Sequence, residues 1–275
     1  MTISVIIPAC DAEATIERAL ASLFRQTHGN WEAIIVADDR RDYAAFLSAK
    51  GVSDPRLRFA STGQVRSGCH HARNVGFDLI SGAYVTQLDA DDELASDRFE
   101  TLKPLAETFG GAADNLLMLD EETGAELGTV MGKTTLLAML DLADFMTLNA
   151  PLVPLIRRDH VLPRAPGIEF SEDVVANIQL IDRIGKLPVT AASSYCYRIH
   201  RRSMANTSGA SERFERGYSD YIERLETGDG FGLQAANRRV AADGLIVKRA
   251  LNRAFMDAQR AEPGLGFQEF VGRKS

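Results

Sequence analysis

The first hundred residues alternate short apolar runs with longer amphipathic ones. Ser4–Ala9 is brief, β-branched and punctuated by Pro8, the pattern of a buried strand. Ala14–Gln26 spaces Ile16, Leu20, Leu23 and Phe24 along one helical face, with Asp11 and Glu13 near the positive end. Trp31–Ala37 predicts a second strand running into Asp38-Asp39. Tyr43–Ala49 predicts a short helix, Leu57–Ala60 a strand, and Ser67–Leu79 a helix. Ala83–Leu88 predicts a fourth strand ending at Asp89-Ala90-Asp91-Asp92. This alternation implies an α/β fold on a mainly parallel sheet covered on both faces. Ligands of such sheets bind beyond the carboxyl ends of the strands. Right-handed crossovers would bring Pro8, Asp38-Asp39 and Asp89–Asp92 to one edge.

The second half is less regular. Leu116–Leu119 and Leu152–Ile156 read as strands, Thr134–Phe145 as a helix, and Val189–Ile199 as extended chain. Ser171–Ile184 carries Val174, Ile178 and Ile181 at helical spacing. Beyond Asn206 the pattern turns helical and polar, with Gly228, Gly230 and Gly232 as a flexible turn and Asn237–Ala261 as a long helix. The division this implies is an α/β domain over 1–207 and a helical appendage over 208–275.

Composition narrows the function. With 275 residues and 45% hydrophobic content, the chain can bury a core without disulfides or structural metal. Its 31 Lys+Arg against 38 Asp+Glu leave a net charge of −7, so no concentrated basic face is available for nucleic acid. Cys10, Cys69 and Cys196 are scattered and odd in number, which fits reduced thiols in the cytoplasm. No export signal is visible, and no apolar run approaches the roughly 18 residues of a membrane helix. Peripheral contact with the inner face of the membrane is left open.

Asp89-Ala90-Asp91-Asp92 is the strongest chemical signal. In extended chain Asp89 and Asp91 face the same way. Crowded carboxylates repel unless a cation or proton intervenes, and oxygen-only ligands suit Mn²⁺ or Mg²⁺. An acidic turn capping a helix near Ser96 is the alternative. Asp38-Asp39 can accept from a base or ribose, or cap the next helix. Ser171-Glu172-Asp173 offers a general base at the cleft edge, or a cap with two acids at a helix N-terminus. Arg198 and His200 share a strand face and could meet a diphosphate or metal. Two tempting motifs fail: Gly132-Lys133-Thr134 lacks the spacing of a P-loop, and Gly228–Gly232 lacks that of a dinucleotide loop.

Taken in order, these segments resemble the family-2 glycosyltransferases of GT-A fold over roughly Thr2 to Ser208. The most specific stretch is Ala72-Arg73-Asn74-Val75-Gly76, then Ser81-Gly82-Ala83-Tyr84-Val85, then Leu88-Asp89-Ala90-Asp91-Asp92. The resemblance implies an inverting, metal-dependent transfer of a hexosyl or hexosaminyl group from a nucleoside-diphosphate sugar, expected to be a UDP-sugar. The acceptor would be a glycan or lipid-linked hydroxyl in bacterial polysaccharide assembly. It implies that Pro8, Ala9, Asp39, Arg73, Asp89 and Ala90 bind the nucleotide. Asp91, Asp89, Asp92 and His200 would hold Mn²⁺ or Mg²⁺ as a DXD motif, and Asp173 with Glu172 would be catalytic. Cys10-Asp11 and Arg40-Arg41 stand where the family has an aromatic residue with Asn, and Gly-Ser, which implies a different donor pocket. Two other readings stay open: a nucleotide-sugar-binding protein without transfer, and a nucleotidyltransferase on a similar fold.

Overall fold

The computed structural model describes residues 1–129, 131, 138–149, 151–165, 168, 170–199, 209–262 and 265–273. Four strands form a parallel half-sheet in the order β3-β2-β1-β4: β1 (Ile3–Ala9), β2 (Trp31–Ala37), β3 (Leu57–Ser61) and β4 (Tyr84–Gln87). β1 and β2 are sealed on both faces, which is why they read as unbroken apolar runs rather than alternating ones. Helix α1 (Ile16–Phe24) buries Ile16, Ala19, Leu20 and Leu23 on one face. On the other, Ala72 of α3 (Cys69–Phe77) packs against Ile34 and Val36. α2 (Tyr43–Ala49) begins at Asp42, whose carboxylate accepts from the Ala45 amide.

Two glycines of the specific stretch have steric reasons. A Cβ on Gly76 would lie 2.6 Å from Ile6, so only glycine lets α3 sit this close to β1. A Cβ on Gly82 would lie 2.6 Å from the Thr2 carbonyl where β4 enters beside β1.

Beyond β4 the sheet becomes mixed. β9 (Leu155–Arg157) runs antiparallel between β4 and β6 (Gly111–Asp120), β6 pairs in parallel with β10 (Leu187–Ile199), and β5 (Glu93–Leu94) closes the edge antiparallel to β10. β7 (Glu126–Thr129) pairs β6, and β8 (Ala138–Leu140) pairs β10. Helix α4 (Arg98–Phe109) backs this half, and its fully buried Arg98 pairs with fully buried Asp114 of β6 at 2.8 Å.

The helix expected over Thr134–Phe145 is not formed as such. Its described part is strand β8 followed by α5 (Leu142–Thr147), because Asp141 and Asp144 make a reciprocal capping box that starts a helix there. The Gly132-Lys133-Thr134 segment lies outside the described residues. Helices α6 (Glu172–Ile184), α7 (Ala210–Thr227), α8 (Ala235–Ala261) and α9 (Phe267–Gly272) complete the chain. Tyr221, Ile222 and Leu225 of α7 and Ala241, Ala242 and Leu245 of α8 share one buried cluster with β1 and α6. The glycine-rich segment between α7 and α8 is pinned rather than flexible: Phe231 is buried with its ring 5.9 Å from that of Tyr221.

Candidate functional site

The site is built where β4 stops. Asp89–Asp92 is a tight turn, not extended chain, closed by the Asp92 amide donating to the Asp89 carbonyl at 3.0 Å. The aspartates are therefore arranged by the turn and not by strand alternation. Asp92 points inward and is only 1% exposed. Its oxygens accept from the Tyr195 hydroxyl and the Arg198 amide, each at 2.8 Å. Burial, then the charges of Asp89 and Asp91, push its carboxyl well above the usual range despite those two bonds. Ala90 is buried in the core, and the Asp91 carbonyl accepts from Arg18. Asp89 stays half-exposed, with one oxygen 2.7 Å from Arg73.

Arg73 is the keystone. It projects from α3, is almost wholly buried, and also pairs with Glu172 at the start of α6. Burial opposes its charge, and Asp89 and Asp173 outweigh that, raising its pKa. One guanidinium thus joins the aspartate turn to the Glu172-Asp173 pair. Glu172 is 4% exposed and receives a second guanidinium, from Arg164, at 2.5 Å. Burial and the nearby Arg73 charge push Arg164 down to about 9. Asn74 holds the Arg164 backbone at both ends, its side-chain amide donating to the Arg164 carbonyl at 3.0 Å and its oxygen accepting from the Arg164 amide at 2.7 Å.

Asp173 is the half-buried neighbour of Glu172. Its charge acts on Arg73, Arg164, Tyr197, Tyr218, Tyr221 and Lys248, so helices α7 and α8 and strand β10 all face it. Tyr197 lies between the two acidic groups: burial first, then Asp92, Asp89, Asp91 and Asp173, raise its phenol. Lys248 donates to the Leu148 carbonyl and is pushed down to about 8 by burial, against the pull of Asp173.

The ends of β1 and β2 form the adjoining wall. The Ala9 carbonyl accepts from the Asp38 amide at 2.8 Å, next to Pro8. Asp39 accepts from the Asp11 amide (2.8 Å), the Tyr43 hydroxyl (2.9 Å) and the Arg41 amide (3.0 Å). Burial works against its charge, and these donors outweigh it and lower its pKa. Asp38 is held down in the same way by Ser67, Thr62 and the Gly68 amide. A hollow of 360 Å³ between β2, β3 and α2 is lined by Arg40, Arg41, Tyr43 and Phe59 among others, and by none of the carboxylates of the two acidic turns.

The structure brings Arg73, Asp89, Ala90, Asp91, Asp92, Glu172 and Asp173 together, and leaves Asp39 with the β1–β2 wall. Arg198 binds Glu93 and Glu121 through its guanidinium, behind the aspartate turn. His200 lies outside the described residues. Arg164, Tyr195, Tyr197 and Lys248 were not foreseen. Tyr195 and Tyr197 share one face of a strand as ordinary core residues do, and Arg164 sits in an unpatterned loop.

Residues 4–117 match the family model described as glycosyl transferase family 2. Over that stretch the chain is similar to the family-2 glycosyltransferases. Among curated relatives, it is 33% identical over 98 residues to UDP-Glc:alpha-D-GlcNAc-diphosphoundecaprenol beta-1,3-glucosyltransferase WfgD of Escherichia coli, covering 36% of this chain and 38% of that protein. It is 33% identical over 102 residues to GalNAc(5)-diNAcBac-PP-undecaprenol beta-1,3-glucosyltransferase of Campylobacter jejuni, covering 36% and 33%. The matched stretch spans well under half of these relatives. Among solved structures, S. aureus TarS 1-349 in complex with UDP-GlcNAc superposes with a TM-score of 0.68 at 19% identity, over 89% of this chain and 72% of that one. TarS 1-349 without a stated ligand gives 0.66 at 18% identity, over 96% and 76%. At such identity the likeness carries the fold alone, a GT-A fold. Among the described residues, no helix is long and apolar enough to cross a membrane.

Proposed function

We propose that this chain transfers a sugar from a UDP-sugar to an acceptor hydroxyl with inversion at the anomeric carbon, in bacterial glycan assembly. The observation that carries the reading is Arg73, whose guanidinium pairs with Asp89 of the aspartate turn and with Glu172, 83 residues further on, which supports reading the two turns as one site. The UDP-Glc in the name of the Escherichia coli relative, and the UDP-GlcNAc held by TarS, support the donor class. The diphosphoundecaprenol in the names of the two glucosyltransferases supports a lipid-linked or glycan acceptor.

The donor set of the turn fits a divalent cation. It is oxygen-only, and after burial the charges of Asp89 and Asp91 add to the rise of the Asp92 carboxyl, a repulsion that a cation would relieve. Asp89 and Asp91 would hold Mn²⁺ or Mg²⁺, while Asp92, with both oxygens engaged, shapes the turn. The cation would offset charge growing on the departing diphosphate. Arg73 keeps Asp89 aimed along the turn. Glu172 supplies the buried counter-charge for Arg73 and Arg164 and acts as a positioning residue. Asp173 accepts the proton of the acceptor hydroxyl. The oxygen then attacks the anomeric carbon opposite the leaving nucleotide through an oxocarbenium-like state, the type of transition state also met in glycoside hydrolysis.

The test is UDP release from UDP-glucose and UDP-GlcNAc by the wild type and Asp173→Asn. Turnover by the wild type and its loss in the variant, with donor binding kept, support the proposal. Donor binding without turnover in the wild type would favour the binding-protein reading. Pyrophosphate release from a nucleoside triphosphate would favour the nucleotidyltransferase.

A further inference from the structure

We propose that helix α7 is a clasp that positions Asp173, so that the C-terminal helices are a working part of the catalytic site. The inference rests on the role proposed above for Asp173. Ser171, the residue that enters α6, has left-handed backbone angles (φ 54°, ψ 33°) that disfavour any residue with a Cβ. Its hydroxyl does not cap the helix, the usual task of a serine there. It faces the Tyr218 hydroxyl of α7 instead. One turn further along α7, the Tyr221 hydroxyl donates to the carbonyl of Phe170, the residue just before Ser171. The Phe170 ring is held edge-on by Phe214 at 5.7 Å and covered by the Arg213 guanidinium at 5.0 Å. Phe214 in turn stacks on Tyr218 at 6.4 Å.

Residues 214, 218 and 221 are spaced three and four apart, so one face of α7 reaches the whole Phe170-Ser171 turn. That face is braced by α8, where Asn252 donates to the Ser211 carbonyl at 2.9 Å and Arg253 pairs with Glu215 at 2.6 Å. A strained entry residue persists only where its surroundings over-determine it. Here the surroundings are α7, and the residue two positions on is Asp173. Letting the turn relax would swing the Asp173 carboxylate without touching the donor wall on β1, β2 and β4.

The experiment uses the full chain with Tyr218→Phe, Tyr221→Phe and the double variant, which keep the aromatic packing and remove only the two hydroxyls. Two readouts are taken: amide hydrogen exchange across residues 170–176, and kcat and KM for UDP release from UDP-glucose and UDP-GlcNAc. In the double variant, exchange in that segment should quicken by roughly tenfold while the β1–β4 sheet stays protected. Its kcat should fall on the order of 10- to 10²-fold with the donor KM unchanged, as a misplaced catalytic group requires. In an Asp173→Asn background the same two changes should cost nothing further. Unchanged exchange at 170–176 overturns the proposal, and so does an equal loss in the Asp173→Asn background. If Asp173→Asn alone leaves UDP release intact, the role of Asp173 fails instead, and the exchange data still decide whether α7 holds the turn.

Discussion

Two acidic turns face each other across Arg73, and they are built alike but anchored differently. In Asp89–Asp92, Asp92 is buried on Tyr195 and Arg198 while Asp89 and Asp91 remain nearer the cleft. In Ser171–Asp173, Glu172 is buried on Arg73 and Arg164 while Asp173 is the more open neighbour. Each turn sinks one carboxylate as scaffold and presents another. The first is held by strand β10 and by α3, which packs on the sheet. The second is held at its entry by α7, from the C-terminal helices. Adjacent acids in such turns therefore have unequal tasks, and burial with bonded partners separates scaffold from chemistry.

The largest effect that would break this division belongs to Asp173. Asp173→Asn should lower turnover on the order of 10²–10⁴-fold, the usual worth of a general base, with the melting temperature nearly unchanged. Steady-state UDP release and calorimetry check both halves, and a melting temperature that falls with the rate would make Asp173 scaffold too. Glu172→Gln should do the reverse. It leaves two buried guanidiniums short of a counter-charge and should cost about 3–5 kcal/mol in urea unfolding. A fully stable, inactive Glu172→Gln would reassign Glu172 to the chemistry. Tyr195→Phe removes the hydroxyl that both donates to Asp92 and receives the Asp89 amide, and should cost about 2 kcal/mol. No loss of stability would show that the aspartate turn holds itself.

The smallest effect lies outside both turns and sharpens the comparison by pH. Asp38 accepts from Thr62, Ser67 and the Gly68 amide, which together hold its pKa below the ordinary value against burial. A carboxylate lowered by folding contributes stability that is complete above its unfolded pKa and lost as pH falls through the folded one. Asp38→Asn should cost about 1 kcal/mol at neutral pH. The gap from the wild type should narrow on acidification below about pH 4. A gap that is constant with pH would remove the charge from that account.

The parallel half-sheet was legible because β1 and β2 are sealed on both faces and α1 is amphipathic, and β2 and α2 fall at the residues expected. β6 was read as Leu116–Leu119 alone, because Asp114 and Asn115 interrupt its apolar pattern, and the neutralising Arg98 lies on a different element. The acidic motif was visible, but not its shape: a turn that sends Asp92 inward is decided by Tyr195, about a hundred residues away. Arg164 was invisible for the same reason, since Asn74, Phe77 and Glu172, on other elements, give that loop arginine its place.

The central claim is that the aspartate turn receives the diphosphate of a nucleotide sugar through a divalent ion. Isothermal titration of UDP-GlcNAc and UDP-glucose, with and without Mn²⁺, into the wild type and Asp91→Ala tests it most directly. Binding that requires Mn²⁺ in the wild type and disappears in Asp91→Ala is the predicted result. Equal affinity in both proteins, or binding indifferent to the metal, would contradict it.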